Sequence, residues 1–199
     1  NGNQFIADKV LCTVPLTVLN KIQFTPSLSS EKQTAMNGGY RYAPSTRIYM
    51  QFQNRFWENE SLSGWGNTDI PEEIWQPTWD LSGNTGIIMS YLRWTPAETM
   101  DALSEQERID YVLNRWENVF PGATNNLDSG TSQSWAQEEW SKGAWASPTS
   151  SQDAALANHI GLAEGDIHFA GEHASDDHGW MQGALVSGLR AANEINTAS

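Results

Sequence analysis

The sequence predicts an α/β (α+β) chain, and three observations carry that expectation. Two runs rich in β-forming residues, Arg47 to Phe52 and Gly86 to Trp94, read as strands joined through polar, glycine-containing loops, hence an antiparallel sheet. Ser104 to Phe120 reads as a capped amphipathic helix. Late in the chain a short apolar run, Ile167 to Ala170, enters Gly171-Glu172, and after a polar loop Gly179-Trp180 opens a second amphipathic helix reaching Ile195.

The elements follow in order. Phe5 to Val14 reads as a strand with Val10, Leu11 and Val14 at its buried end, stopped by Pro15. Residues 16–19 suit a single turn and Ile22 to Phe24 a short strand. Ser29 to Met36 is a helix candidate with Ser30 as N-cap. After the strand at Arg47, Asn59 to Asn67 reads as loop, Ile74 to Gln76 as a strand ended by Pro77, and Ser82-Gly83-Asn84 as a turn. In the central helix Ser104 and Glu107 form a capping box. Ile109, Val112, Leu113, Trp116 and Phe120 recur at helical spacing, and Pro121-Gly122 stops it. Thr124 to Ser134, short of apolar residues, reads as loop, as do residues 147–151. The last helix carries Met181, Ala184, Leu185, Leu189, Ala192 and Ile195 on one stripe. Strands lead and a strand–helix unit closes the chain, the pattern of a chain that leaves one domain for another and returns.

Composition narrows the function. The 199 residues can bury one sizeable core, with 39% hydrophobic and 18% charged residues. A net charge of −13 argues against nucleic acid, whose phosphates require Lys and Arg. No stretch has the roughly 18 apolar residues of a membrane-spanning helix. The one cysteine, Cys12, excludes an internal disulfide and a Cys-rich metal site, and its apolar surroundings suit a small buried hydrophobe. His168, His173 and His178 recur every five residues, which places them on differing faces of a strand or helix and serves no shared metal; no metal is expected. Neither a Gly-x-Ser-x-Gly elbow nor a Gly-x-Gly-x-x-Gly dinucleotide fingerprint is present. Ten Trp residues exceed what a core of this size needs, so some are expected to line a pocket. The chain does not begin with Met, which suggests a processed or partial product.

Four stretches resemble the flavin amine oxidases, most closely their L-amino-acid oxidase branch. They are Ala7-Asp8-Lys9-Val10-Leu11-Cys12-Thr13-Val14-Pro15; Ser45 to Phe52 followed by Arg55-Phe56-Trp57; Trp140-Ser141-Lys142-Gly143-Ala144-Trp145; and Phe169 to Ala192. The resemblance implies a partial flavin amine oxidase fold. Residues 1–20 and 160–199 would belong to a Rossmann-like FAD-binding domain and 21–159 to a substrate domain. It also implies roles. Gly171 and Glu172 match the Gly-Glu that contacts the ribityl-phosphate part of FAD. Gly179, Trp180 and Met181 match the start of the last helix, where a backbone N–H faces the flavin pyrimidine ring. Trp145 and Trp180 match the two aromatic residues flanking the substrate nitrogen.

The departures are informative. Ala144 stands where monoamine oxidases carry the cysteine that binds flavin covalently, so FAD is expected to be held non-covalently. Arg47 stands at the position of a catalytic lysine; a guanidinium can donate to a water but stays charged. Trp75 and Gln76 lie where some relatives place a carboxylate-binding Tyr, and are carried over as substrate-binding candidates. The implied reaction is FAD-dependent oxidative deamination of L-amino acids by dioxygen. The Gly-rich FAD motif would lie on another segment or chain of the same precursor. The resemblance further implies a secreted homo-oligomer without nucleic-acid or membrane partners. An oxidase of mono- or polyamines and a non-catalytic flavin-fold module remain the alternatives.

Overall fold

A computed structural model describes residues 2–69 and 72–197. In chain order the elements are β1 (Val10–Cys12), α1 (Leu16–Leu19), α2 (Ser30–Thr34), β2 (Tyr42–Ala43), β3 (Ser45–Phe52), β4 (Gly66–Asn67), β5 (Glu73–Trp75), β6 (Gly86–Arg93), α3 (Trp94–Asp101), α4 (Glu105–Val119), α5 (Ala123–Asn126), β7 (Leu127–Ser134), β8 (Trp145–Ala146), α6 (Ser150–Ile160), β9 (Ile167–Phe169) and α7 (Met181–Thr197). They form two compact units: residues 1–43 with 139–199, and residues 44–138.

The inserted unit is a five-stranded sheet in the order β4-β5-β6-β3-β7, antiparallel throughout as expected. Alternation on β3 sends Ile48, Met50 and Phe52 into the core and Arg47, Tyr49 and Gln51 to the opposite face. The core is aromatic: Phe52 meets Trp57 edge-on at 5.6 Å between ring centroids, and Trp116 of α4 completes it beside Phe120. α4 begins at the expected capping box, with the Ser104 side chain accepting from Glu107 N–H and Glu107 returning the bond.

Residues 124–134, expected as loop, are instead α5 and the edge strand β7. β7 is held by its backbone pairing to β3 and by α4 beneath it, so it needs few apolar side chains. Its polar residues bond outward: Thr131 Oγ1 and Ser132 N–H both donate to Glu105 Oε1, at 2.7 and 2.8 Å. The expected loop 59–67 begins on the last two residues of a helical turn, Phe56–Glu60, and ends in the short strand β4.

In the other unit β1 and β9 pair in parallel, Val10 opposite Ile167 and Cys12 opposite Phe169. The strand expected over residues 5–14 shrinks to three residues, and Val10 and Leu11 are exposed rather than buried. β1 has one neighbour, β9, among the described residues, so its other edge receives no backbone partner. Residues 22–24 form no strand, because Lys21 and Ile22 N–H groups close the turn after α1 by donating to Val18 and Leu19 carbonyls. The N-cap of α2 is Ser29, not Ser30; the Ser29 hydroxyl accepts from Lys32 N–H. Residues 147–151 are not all loop: Thr149 caps α6, a helix the sequence reading did not anticipate. Lys32 is wholly buried and closes the far end of α6, donating to the His159 and Leu162 carbonyls at 2.9 and 2.7 Å beside Glu164. Burial lowers its pKa, against the pull of Glu164.

The apolar stripe expected on the last helix does not face this unit's interior. α7 buries Gly183, Ser187 and Ala191, and exposes Met181, Leu185, Val186 and Leu189. Small residues are buried because the 171–177 segment lies directly on the helix: a Cβ at Gly183 would collide with the Asp177 carbonyl.

Candidate functional site

The candidate residues Trp145, Gly171, Glu172, Gly179, Trp180 and Met181 all belong to the unit built on β1, β9 and α7, and the structure brings them together at the start of α7. β9 ends at Phe169 and the chain turns through Gly171 at φ +138°, a conformation that L side chains rarely adopt. A Cβ there would also strike the His173 ring, 2.8 Å from its Nδ1. Ser187, buried on α7, fixes the turn: its hydroxyl accepts from Gly171 N–H at 2.9 Å and faces the Gly171 carbonyl at 2.8 Å.

Glu172 then reaches across the site. Its Oε1 accepts from Ala146 N–H at 2.9 Å and its Oε2 from Gly179 N–H at 2.7 Å. Both carboxylate oxygens thus hold backbone amides next to the two candidate tryptophans. Gly179, at φ +76°, lies so close to Trp145 that a Cβ would sit 2.8 Å from the indole Cδ1. Trp180 and Met181 follow at the helix start, 73% and 91% exposed. The first turn of α7 itself contains no acidic residue, and the carboxylate nearest the helix start is that of Glu172, held on Gly179 N–H. An electron-rich ring edge placed there would meet the N-terminal end of a helix, whose dipole favours negative charge. On this chemistry the residues fit a flavin.

Sequence reasoning missed a supporting network. Tyr40 is buried and donates to Asp153 Oδ1 at 2.8 Å, while His178 Nε2 lies 2.9 Å from the Tyr40 hydroxyl and 3.2 Å from Asp153. The other ring nitrogen of His178 faces the Glu172 carbonyl at 3.2 Å; a carbonyl only accepts, so that nitrogen carries a proton. Tyr40 lies more than 100 residues from both partners, so no local pattern marks the network. His173 is also buried; burial first, and His178 second, push its pKa down to about 4.

The remaining candidates lie on the outer face of the sheet in the other unit. The Arg47 guanidinium stands 4.4 Å from the Tyr91 ring centroid and 5.8 Å from that of Trp75. Trp65 stacks on Trp75 at 6.1 Å. Burial disfavours the Arg47 charge, and hydrogen bonding with Tyr49 and Tyr91 outweighs it, so its pKa is raised. No carboxylate forms an ion pair with Arg47 among the described residues, whereas nearby Arg93 pairs with Glu72 at 3.0 Å. Gln76 is not brought to this face: it is 3% exposed, and its Oε1 accepts from Trp57 Nε1 at 3.2 Å inside the core.

Known proteins resemble the chain along nearly its whole length. Residues 1–196 match the family of flavin containing amine oxidoreductases. The chain is 36% identical over 199 residues to the "Putative L-amino-acid oxidase YobN" of Bacillus subtilis (strain 168), covering 96% of this chain and 41% of that protein. It is 32% identical over 196 residues to an L-amino-acid oxidase of Siganus canaliculatus, covering 96% and 37%. Among solved structures, a putrescine oxidase variant superposes with a TM-score of 0.85 at 22% identity, covering 97% of this chain and 43% of that one. Cyclohexylamine oxidase of Brevibacterium oxydans gives 0.83 at 19%, covering 98% and 44%. The chain thus spans about two-fifths of the relatives it matches. On the match along nearly its whole length, the chain belongs to the flavin-containing amine oxidoreductase family.

Proposed function

We propose that this chain supplies part of the flavin and substrate site of an L-amino-acid oxidase that converts L-amino acids to 2-oxo acids, ammonia and hydrogen peroxide. The observation that carries the reading is the approach of Trp145 to Gly179, immediately before Trp180, at the start of α7. Two indoles presented from adjoining segments can flank a substrate amine and fix its orientation, which is where such a site gains rate. FAD, when bound, supplies the two-electron acceptor. The start of α7 stabilises negative charge placed against it, and Trp180 and Met181 would meet the isoalloxazine there. Ala144 offers no thiol, so the reading includes non-covalent FAD. Identity to L-amino-acid oxidases along the whole chain supports the substrate class, since the likeness to the putrescine and cyclohexylamine oxidases extends to fold alone.

The Gly-rich FAD motif, absent here, is assigned to a further segment or chain of the same protein. The exposed apolar face of α7 is consistent with a covering partner of that kind. Anaerobic mixing of the flavin-loaded protein with single substrates tests the reading. L-amino acids are expected to bleach the oxidised flavin band, and acid precipitation to release all flavin into solution. Bleaching by putrescine and not by any L-amino acid would overturn the substrate class.

A further inference from the structure

We propose that Glu172 is a positioning residue whose carboxylate clamps the strand carrying Trp145 to the turn that presents Trp180, and thereby sets the spacing of the two indoles. The proposal rests on reading those indoles as the substrate-facing pair.

The geometry gives the carboxylate a mechanical task. β8 pairs with β2 on one edge, where the Ala144 and Ser147 N–H groups donate to the Ala43 and Arg41 carbonyls. The Ala146 N–H points away from β2 and finds Glu172 Oε1 instead. Gly179 N–H, one residue before Trp180, finds Oε2. One side chain therefore terminates a strand edge and anchors a turn more than 30 residues further along the chain. Bonds from amides to an ionised acceptor are shorter and stronger than neutral ones, so the strut is stiff. Its base is stiff as well. Gly171 is held by Ser187, and the Glu172 carbonyl is held by His178, which is fixed by Tyr40 and Asp153. Because Gly179 lacks a Cβ, Trp145 packs directly on the clamped turn. A change in clamp length is thus transmitted to both rings.

The clamp needs two acceptors at fixed separation. Glu172→Gln keeps length but replaces one acceptor with a donor, and Glu172→Asp keeps charge but shortens the reach. In the flavin-loaded protein, hydrogen exchange resolved to single amides should show Ala146 and Gly179 protected in the unsubstituted form. In Glu172→Gln at least one of the two should exchange about tenfold faster. Expressed per bound flavin, kcat should fall roughly tenfold in both variants, because misaligned rings lose orientation rather than charge. Free-peptide exchange at both amides of the unsubstituted protein would overturn the proposal without any variant. So would unchanged exchange in Glu172→Gln, or faster exchange with unchanged kcat. If Trp145→Phe and Trp180→Phe both leave kcat and KM unaltered, the reading of the indole pair fails while the amide measurement still decides the clamp.

Discussion

Gly171 carries more of this site than its size suggests. Its positive φ and the His173 ring against it leave no room for a side chain, and Ser187 closes the turn from α7. Gly171→Ala is expected to destabilise the protein by about 1–3 kcal/mol, read as a lower urea midpoint. Gly188→Ala, on a part of α7 where a Cβ meets nothing, should instead stabilise by about 0.5–1 kcal/mol. His173 predicts a pH dependence. Its folded pKa, about 4, lies below the ordinary 6.5, so the unfolded chain takes up the proton first. The stability it permits is complete above pH 6.5 and falls as pH drops toward 4, by ~3 kcal/mol over the whole interval. Urea titrations at pH 7 and pH 4.5 should show that loss, and His173→Phe should remove most of the difference.

At the scale of elements, the caps decide where helices begin. Ser104 and Thr149 each close a capping box, so Ser104→Ala and Thr149→Ala should each cost about 1 kcal/mol of stability in thermal unfolding. The two boxes also show what a sequence discloses. The helix at Ser104 was legible because its core residues repeat at helical spacing. The helix at Thr149 carries the same start signal but buries only Leu156 and Ile160, so periodicity gave no support. β7 was illegible for a related reason: it is held by the backbone of β3, and its side chains are those of a polar edge. The strand–turn–helix of the site was legible from Gly171, Glu172, Gly179 and Trp180 as a local pattern. The hydrogen bonds of Glu172 to Ala146, and of Tyr40 to Asp153, were not, because they depend on a chain path that no local spacing encodes.

The chain presents apolar surface on α7 and ahead of β1. Leu185 and Leu189 of α7 are 58% and 59% exposed, and Phe5 and Ile6 precede a strand with one backbone partner among the described residues. Produced by itself, the 199-residue chain should self-associate in a concentration-dependent manner by sedimentation, and Leu185→Lys with Leu189→Lys should suppress this. The isolated chain should also retain no flavin through gel filtration, since half of the expected FAD contacts are assigned elsewhere. The proposed activity, oxidation of L-amino acids, belongs to the assembled protein. The most direct measurement is hydrogen peroxide and 2-oxo acid production by the flavin-loaded protein across L-amino acids, their D-enantiomers and simple amines and diamines. Equimolar peroxide and 2-oxo acid are expected from one or more L-amino acids, and neither product from D-enantiomers or diamines. Peroxide from amines or diamines alone, or none from any substrate with flavin fully bound, would contradict it.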